Sequence, residues 1–159
     1  MVPTVEWKND AVRLLDQSRL PEHVEFLDCR DYRAVADAIR ELKVRGAPAI
    51  GVTAALGVAL GAQAVSATEF PAFAQALLPI CDHLAATRPT AVNLFWAIDR
   101  MKKKLDSLSA QTVPAVKAAL LAEAQAILDE DIALCKAMGK HGAELIANGQ
   151  TVLTHCNAG

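Results

Sequence analysis

Residues 46–68 read GAPAIGVTAALGVALGAQAVSAT, and the environment of this stretch decides the fold. These 23 consecutive residues carry no formal charge, enough to cross a bilayer as a helix. Their content argues otherwise. Ala and Gly dominate, Pro48, Gln63 and Ser66 interrupt, the large aliphatics are only Ile50, Val52, Leu56, Val58, Leu60 and Val65, and no aromatic belt flanks the run. A helix apolar on every side is buried either in lipid or in a protein core. The composition predicts the core, as a helix from Pro48 to about Val65 with other elements packed around it, and no membrane partner.

The rest of the chain supplies what such a core needs. Its 159 residues suit one domain, and 53% hydrophobic with 21% charged residues describes a compact folded chain. With 16 Lys+Arg against 18 Asp+Glu the formal charge is -2, which leaves no positive field for nucleic acid. Cys29, Cys81, Cys135 and Cys156 form no CxxC pair, and Met1-Val2-Pro3 starts no secretory leader. Reduced thiols and a cytoplasmic location are expected, with Cys29, Cys81 and Cys135 as inert buried residues. Nothing requires a metal or an organic cofactor.

Upstream of the apolar stretch, Val2–Trp7, Ala11–Leu15 and Glu22–Leu27 are β-rich runs bounded by turn formers such as Asn9-Asp10, and they predict a small antiparallel sheet within about residues 1–30. At Asp31 the period changes. Val35, Ala38, Ile39 and Leu42 recur at helical spacing, with Asp31 as the cap and Lys43 to Arg45 in the closing turn. Downstream, helices are expected over Glu69 to about Ala86, Thr90 to about Leu108 and Pro114 to Met138, with Gly139 as a stop and a short helix ending near Ala147. Leu120, Ala124, Ile127, Leu134 and Met138 form the stripe of the long helix, and Asp131 within it is expected to pair with an Arg or Lys of a neighbouring helix, the alternative being a catalytic group.

Asn148-Gly149 then turns into Thr151-Val152-Leu153-Thr154, a β-rich run that leads to His155-Cys156-Asn157-Ala158-Gly159. A strand entering a small-residue loop opens a βα unit, and a lone parallel strand makes no sheet. The expected organisation is α+β: an N-terminal domain over 1–149, sheet first and helices over about 31–147, with 150–159 beginning a second domain. On that reading the chain is one part of a split or cleaved protein with a companion C-terminal fragment.

Three segments carry residue types that packing alone explains poorly. In Val44-Arg45-Gly46-Ala47-Pro48, Gly46 and Ala47 let a ligand approach the backbone, Pro48 presets a helical turn, and Arg45 stands beside free amides. That outlines an anion site; the alternative is a glycine turn with Arg45 as a solvated charge. In Thr87-Arg88-Pro89-Thr90, Thr90 can cap the next helix with Arg88 just outside its positive end, although Arg88 alone would suit an ordinary surface position. In Thr154-His155-Cys156, the thiol lies beyond a strand where a helix amino end could lower its pKa, or it is a buried inert cysteine. His155, its neighbour, points to the opposite face and makes a poor dyad.

Together, Leu15-Asp16-Gln17 with Arg19-Leu20-Pro21, VRGAPAIG at 44–51, RPTAVNLFWAIDRM at 88–101 and LTHCNAG at 153–159 resemble the methylthioribose-1-phosphate isomerases, in order and over essentially the whole chain. The resemblance implies conversion of 5-methylthioribose 1-phosphate to 5-methylthioribulose 1-phosphate in methionine salvage. It implies that Arg45, Gly46, Ala47 and Arg88 bind the phosphorylated sugar, that Cys156 is catalytic, and that the protein is a homodimer. It also implies that further catalytic groups lie in a Rossmann-like second domain, of which 150–159 is the first strand, so the isolated chain is expected to be inactive. The same superfamily implies two alternatives: a ribose-1,5-bisphosphate isomerase, or a non-catalytic regulatory subunit of the initiation factor 2B kind.

Overall fold

The computed structural model describes residues 2–156, a three-stranded antiparallel sheet followed by five helices. Strands β1 (Val5–Lys8), β2 (Ala11–Leu15) and β3 (Phe26–Cys29) lie in that order. Asn9 and Asp10 join β1 to β2 with φ of 51° and 55°. Two positive φ values in a two-residue loop match the twist of paired strands, and Asn and Asp tolerate them well. Val12 and Leu14 are buried. Arg13 between them sits opposite Asp28 on β3 and donates from Nε to its carboxylate at 2.6 Å. The third strand starts later than the β-rich run at 22–27 suggests. Asp16 is buried and accepts from the Ser18 amide at 3.0 Å, so the chain turns locally before it can pair, and Val24 stays exposed.

Helix α1 (Tyr32–Arg40) begins as expected, with the Asp31 carboxylate accepting from the Arg33 and Ala34 amides at 2.8 and 2.9 Å. It closes before Leu42 because that residue turns left-handed, at φ 59°. The Lys43 amide donates to the Ala38 carbonyl at 3.0 Å and the Leu42 amide to the Ile39 carbonyl at 3.3 Å. This double closure usually has glycine at the turning residue, since a Cβ is crowded there.

Helix α2 (Ala47–Ala64) buries every residue from Ile50 to Ala62. It is long and apolar enough to cross a membrane by those two measures alone, but it is enclosed by the rest of the chain. It touches α1, α3 (Phe70–Ala85), α4 (Val92–Asp106) and α5 (Val113–Ala143), as well as β1 and β2. The one hydroxyl in its buried length, on Thr53, donates back to the Ala49 carbonyl at 2.7 Å, so no polar group is stranded there.

Two expectations at the end of the chain need correction. Helix α5 does not stop at Gly139; it continues through Gly142 to Ala143, and no separate helix follows among the described residues. A glycine ends a helix by taking positive φ, and among the described glycines only Gly46 and Gly149 do so. Residues 151–154 join no sheet among the described residues, as expected of a lone run, because extended backbone becomes a strand only when a neighbour takes up its hydrogen bonds.

Candidate functional site

The two arginine-flanked helix openings come together. A Cβ added to Gly51, in the first turns of α2, would stand 2.8 Å from the backbone carbonyl oxygen of Asn93 in the first turn of α4. Only a residue without a side chain lets the helices approach this closely.

Each opening lacks a side-chain cap. The α2 cap position is Gly46, whose φ of 94° needs glycine, and its carbonyl accepts from the Ile50 amide at 2.9 Å. Pro48, in the first turn, has no amide to leave open. At α4 the cap position is Ala91, not Thr90. The Ala91 amide donates to the Arg88 carbonyl at 3.0 Å, so residues 88–91 form a tight turn around Pro89 that carries Thr90 past the cap position. Two helix starts without side-chain caps thus lie close together, and the positive end of a helix favours negative charge.

Between these openings and the second half of α5 lies a cavity of about 480 Å³. Pro48 and Val52 line it from α2, Val92, Asn93 and Trp96 from α4, and Ile127, Glu130, Asp131 and Leu134 from α5. Arg100, one turn beyond Trp96, holds the wall in place. Its Nε donates to Glu123 at 2.7 Å, its Nη2 donates to Glu130 at 2.8 Å, and its guanidinium lies 5.7 Å from the Trp96 ring centre. The hydrogen bond from Arg100 is the main cause that keeps the Glu123 and Glu130 carboxyls below the ordinary glutamate range.

Asp131 does not make the interhelical ion pair its place in the stripe suggests. Arg100 is taken by Glu123 and Glu130, and Lys104 also reaches Glu123 at 3.3 Å, so Asp131, which lines the cavity, has no side-chain partner among the described residues. Among the polar residues that line the cavity, Asp131 is the one whose pairing periodicity alone misassigned. A signal was available in Glu123 and Glu130, seven residues apart and so on one face of α5, where they compete for the same cation.

The remaining expected residues are placed as follows. Arg45 is exposed just before α2, and its Nε donates to the Leu42 carbonyl at 3.1 Å, so the left-handed turn at Leu42 helps to fix it. Arg88 is half-buried, and its side chain has no partner among the described residues. Ala47 is exposed and Gly46 half-buried at the α2 opening. None of these four lines the cavity itself; they stand at its helix openings. Cys156 is exposed with φ 65° and is not brought into the cavity lining, and Asn157, Ala158 and Gly159 lie outside the described residues. Of the other thiols, burial pushes Cys29 and Cys81 up to about 11, whereas Cys135 is exposed on α5 rather than buried. Residues 132–141 of that helix are all exposed.

Comparison with known proteins identifies the family. Residues 43–159 match the Initiation factor 2 subunit family, and the chain belongs to that family. Within it, the chain is 56% identical to a methylthioribose-1-phosphate isomerase of Syntrophotalea carbinolica over 99% of its own length and 46% of that protein's. Against the protein of the same name from Geobacter metallireducens the identity is 54%, over 98% and 45%. Among solved structures it resembles 5-methylthioribose 1-phosphate isomerase from Pyrococcus horikoshii, with TM-score 0.90 and 38% identity over 94% of this chain and 42% of that one. It also resembles the translation initiation factor eIF-2B delta subunit from A. fulgidus, with TM-score 0.88 and 40% identity over 100% and 46%. The chain therefore spans about half the length of the relatives it matches.

Proposed function

We propose that this chain is the N-terminal part of an aldose–ketose isomerase that converts 5-methylthioribose 1-phosphate to 5-methylthioribulose 1-phosphate in methionine salvage. The observation that carries the reading is the meeting of two uncapped helix openings, flanked by Arg45 and Arg88, at one cavity. The phosphate on C1 prevents a free aldehyde until the ring opens, so the site has to hold a dianion and supply proton transfers. First-turn amides and guanidinium groups suit the dianion. On this reading Arg45, Gly46, Ala47 and Arg88 bind the sugar phosphate, and Cys156 assists proton transfer from a second, Rossmann-like domain that begins near residue 150. The protein would work as a cytoplasmic homodimer.

The test is turnover of 5-methylthioribose 1-phosphate. The chain alone is expected to be inactive. A polypeptide in which it is continued by the remaining half of the Syntrophotalea relative, or a mixture with that half as a separate fragment, is expected to isomerise the sugar. In the active protein, Arg88→Ala should raise KM about tenfold or more, as loss of a charged hydrogen bond does, while Cys156→Ala should depress kcat more than it weakens binding. Absence of turnover in both assemblies would overturn the reading.

The likeness to the eIF-2B delta subunit favours a second reading, a non-catalytic regulatory subunit. Binding of the sugar phosphate without turnover, with Cys156→Ala indifferent, would select it.

A further inference from the structure

The cavity holds an acid that the anion-binding reading does not use. Its α5 wall presents two carboxylates, and Glu130 is neutralised by Arg100. Asp131 has no cation, no hydrogen-bond donor and no cap role among the described residues, yet it is half-buried beside Ile127 and Leu134. An unpaired carboxylate against apolar walls is costly unless something donates to it. Across the cavity stands Asn93, also half-buried and without a side-chain partner among the described residues, able both to donate and to accept. Trp96, one turn on from Asn93 in α4, also lines the cavity.

This combination is wrong for a phosphate and right for hydroxyls. A dianion inside the cavity would meet the Asp131 charge at close range, whereas at the helix openings it meets amides and arginines. A carboxylate accepts from two neighbouring hydroxyls at once, and carbon faces of a sugar pack on an aromatic ring. We infer that Asp131 is a substrate-binding residue that accepts from the hydroxyls of the sugar and sets its direction, phosphate at the openings of α2 and α4 and hydroxyl-bearing carbons inward. This deepens the isomerase reading and rests on it. Asp131 orients the substrate, so its removal should act on sugar binding and not on the anion anchor.

The experiment uses the same continued polypeptide, with inorganic phosphate as a competitive inhibitor that reports the anchor alone. Asp131→Asn should raise KM for 5-methylthioribose 1-phosphate about tenfold or more, the usual effect of losing a charged hydrogen bond. It should leave the phosphate inhibition constant unchanged or lowered, and leave the melting temperature unchanged. If KM does not move while the parent turns over, Asp131 is not a substrate ligand and only this inference falls. If KM and the phosphate constant rise together, or the melting temperature drops with KM unchanged, the carboxylate serves the scaffold and the inference is overturned. A parent without turnover overturns the isomerase reading and this inference with it.

Discussion

The two halves of α5 carry one apolar pattern in two surroundings. Leu120, Ala124 and Ile127 are buried to 2% exposure or less against the rest of the bundle, whereas Leu134 and Met138, which continue the stripe, are 59% and 57% exposed. Helical spacing defines which side chains share a face; it does not say whether anything covers that face. The contrast also separates two kinds of acid. Glu123 sits where α4 faces α5 and is held by Arg100 and Lys104, while Asp131, one turn past the end of the covered stripe, faces a cavity.

The contrast can be broken by substitution. Leu120→Ala should cost about 3 kcal/mol of unfolding free energy, the usual loss for truncating a fully buried leucine, measured by urea denaturation. Gly51→Ala should cost about 2 kcal/mol, because the obstructing atom is the Asn93 backbone oxygen and a helix has to shift to admit the methyl group. Glu123 sharpens the comparison through pH. Its carboxyl titrates below the ordinary value of 4.5 because Arg100 donates to it, so its contribution is present above that value and lost as pH falls through the lowered one. Glu123→Gln should therefore flatten the fall in stability below pH 4.5 by about 1 kcal/mol. Leu134→Ala in this chain should stay within about 0.5 kcal/mol of the parent, as for other exposed positions. A loss as large as that at Leu120 would mean the two halves are not different after all.

Much of this architecture was legible in the residues. The uncharged run at 46–68 could be assigned to a buried helix because Ala and Gly suit close packing and the run lacks the bulk and anchors of a membrane span. Asp31 as a cap and Asn9-Asp10 as a tight turn are local chemistry, and the fold kept both. What escaped the reading was set by partners distant in sequence. Gly139 looked like a stop, but a helical glycine costs only about 1 kcal/mol relative to alanine. Thr90 had the right chemistry for a cap and lost the position to the turn around Pro89. The segments around Arg45 and Arg88 were recognisable as two openings suited to one dianion, while the close approach of Gly51 to Asn93 that joins α2 to α4 is encoded in no local pattern.

An evenly apolar helix such as α2 raises a question of azimuth, since water gives it no preferred rotation about its own axis. The glycines answer it. Gly51 admits the backbone of α4, whereas Gly57 admits Val35 of α1 and Leu84 of α3, and Gly61 admits Ile80 of α3. Notches cut on different sides of a shaft accept their ridges at one angle only, so α2 is keyed. Rotating it would close the notches and swing Pro48 and Val52 off the cavity wall, and the smallest residues in the core thereby govern where that cavity stands.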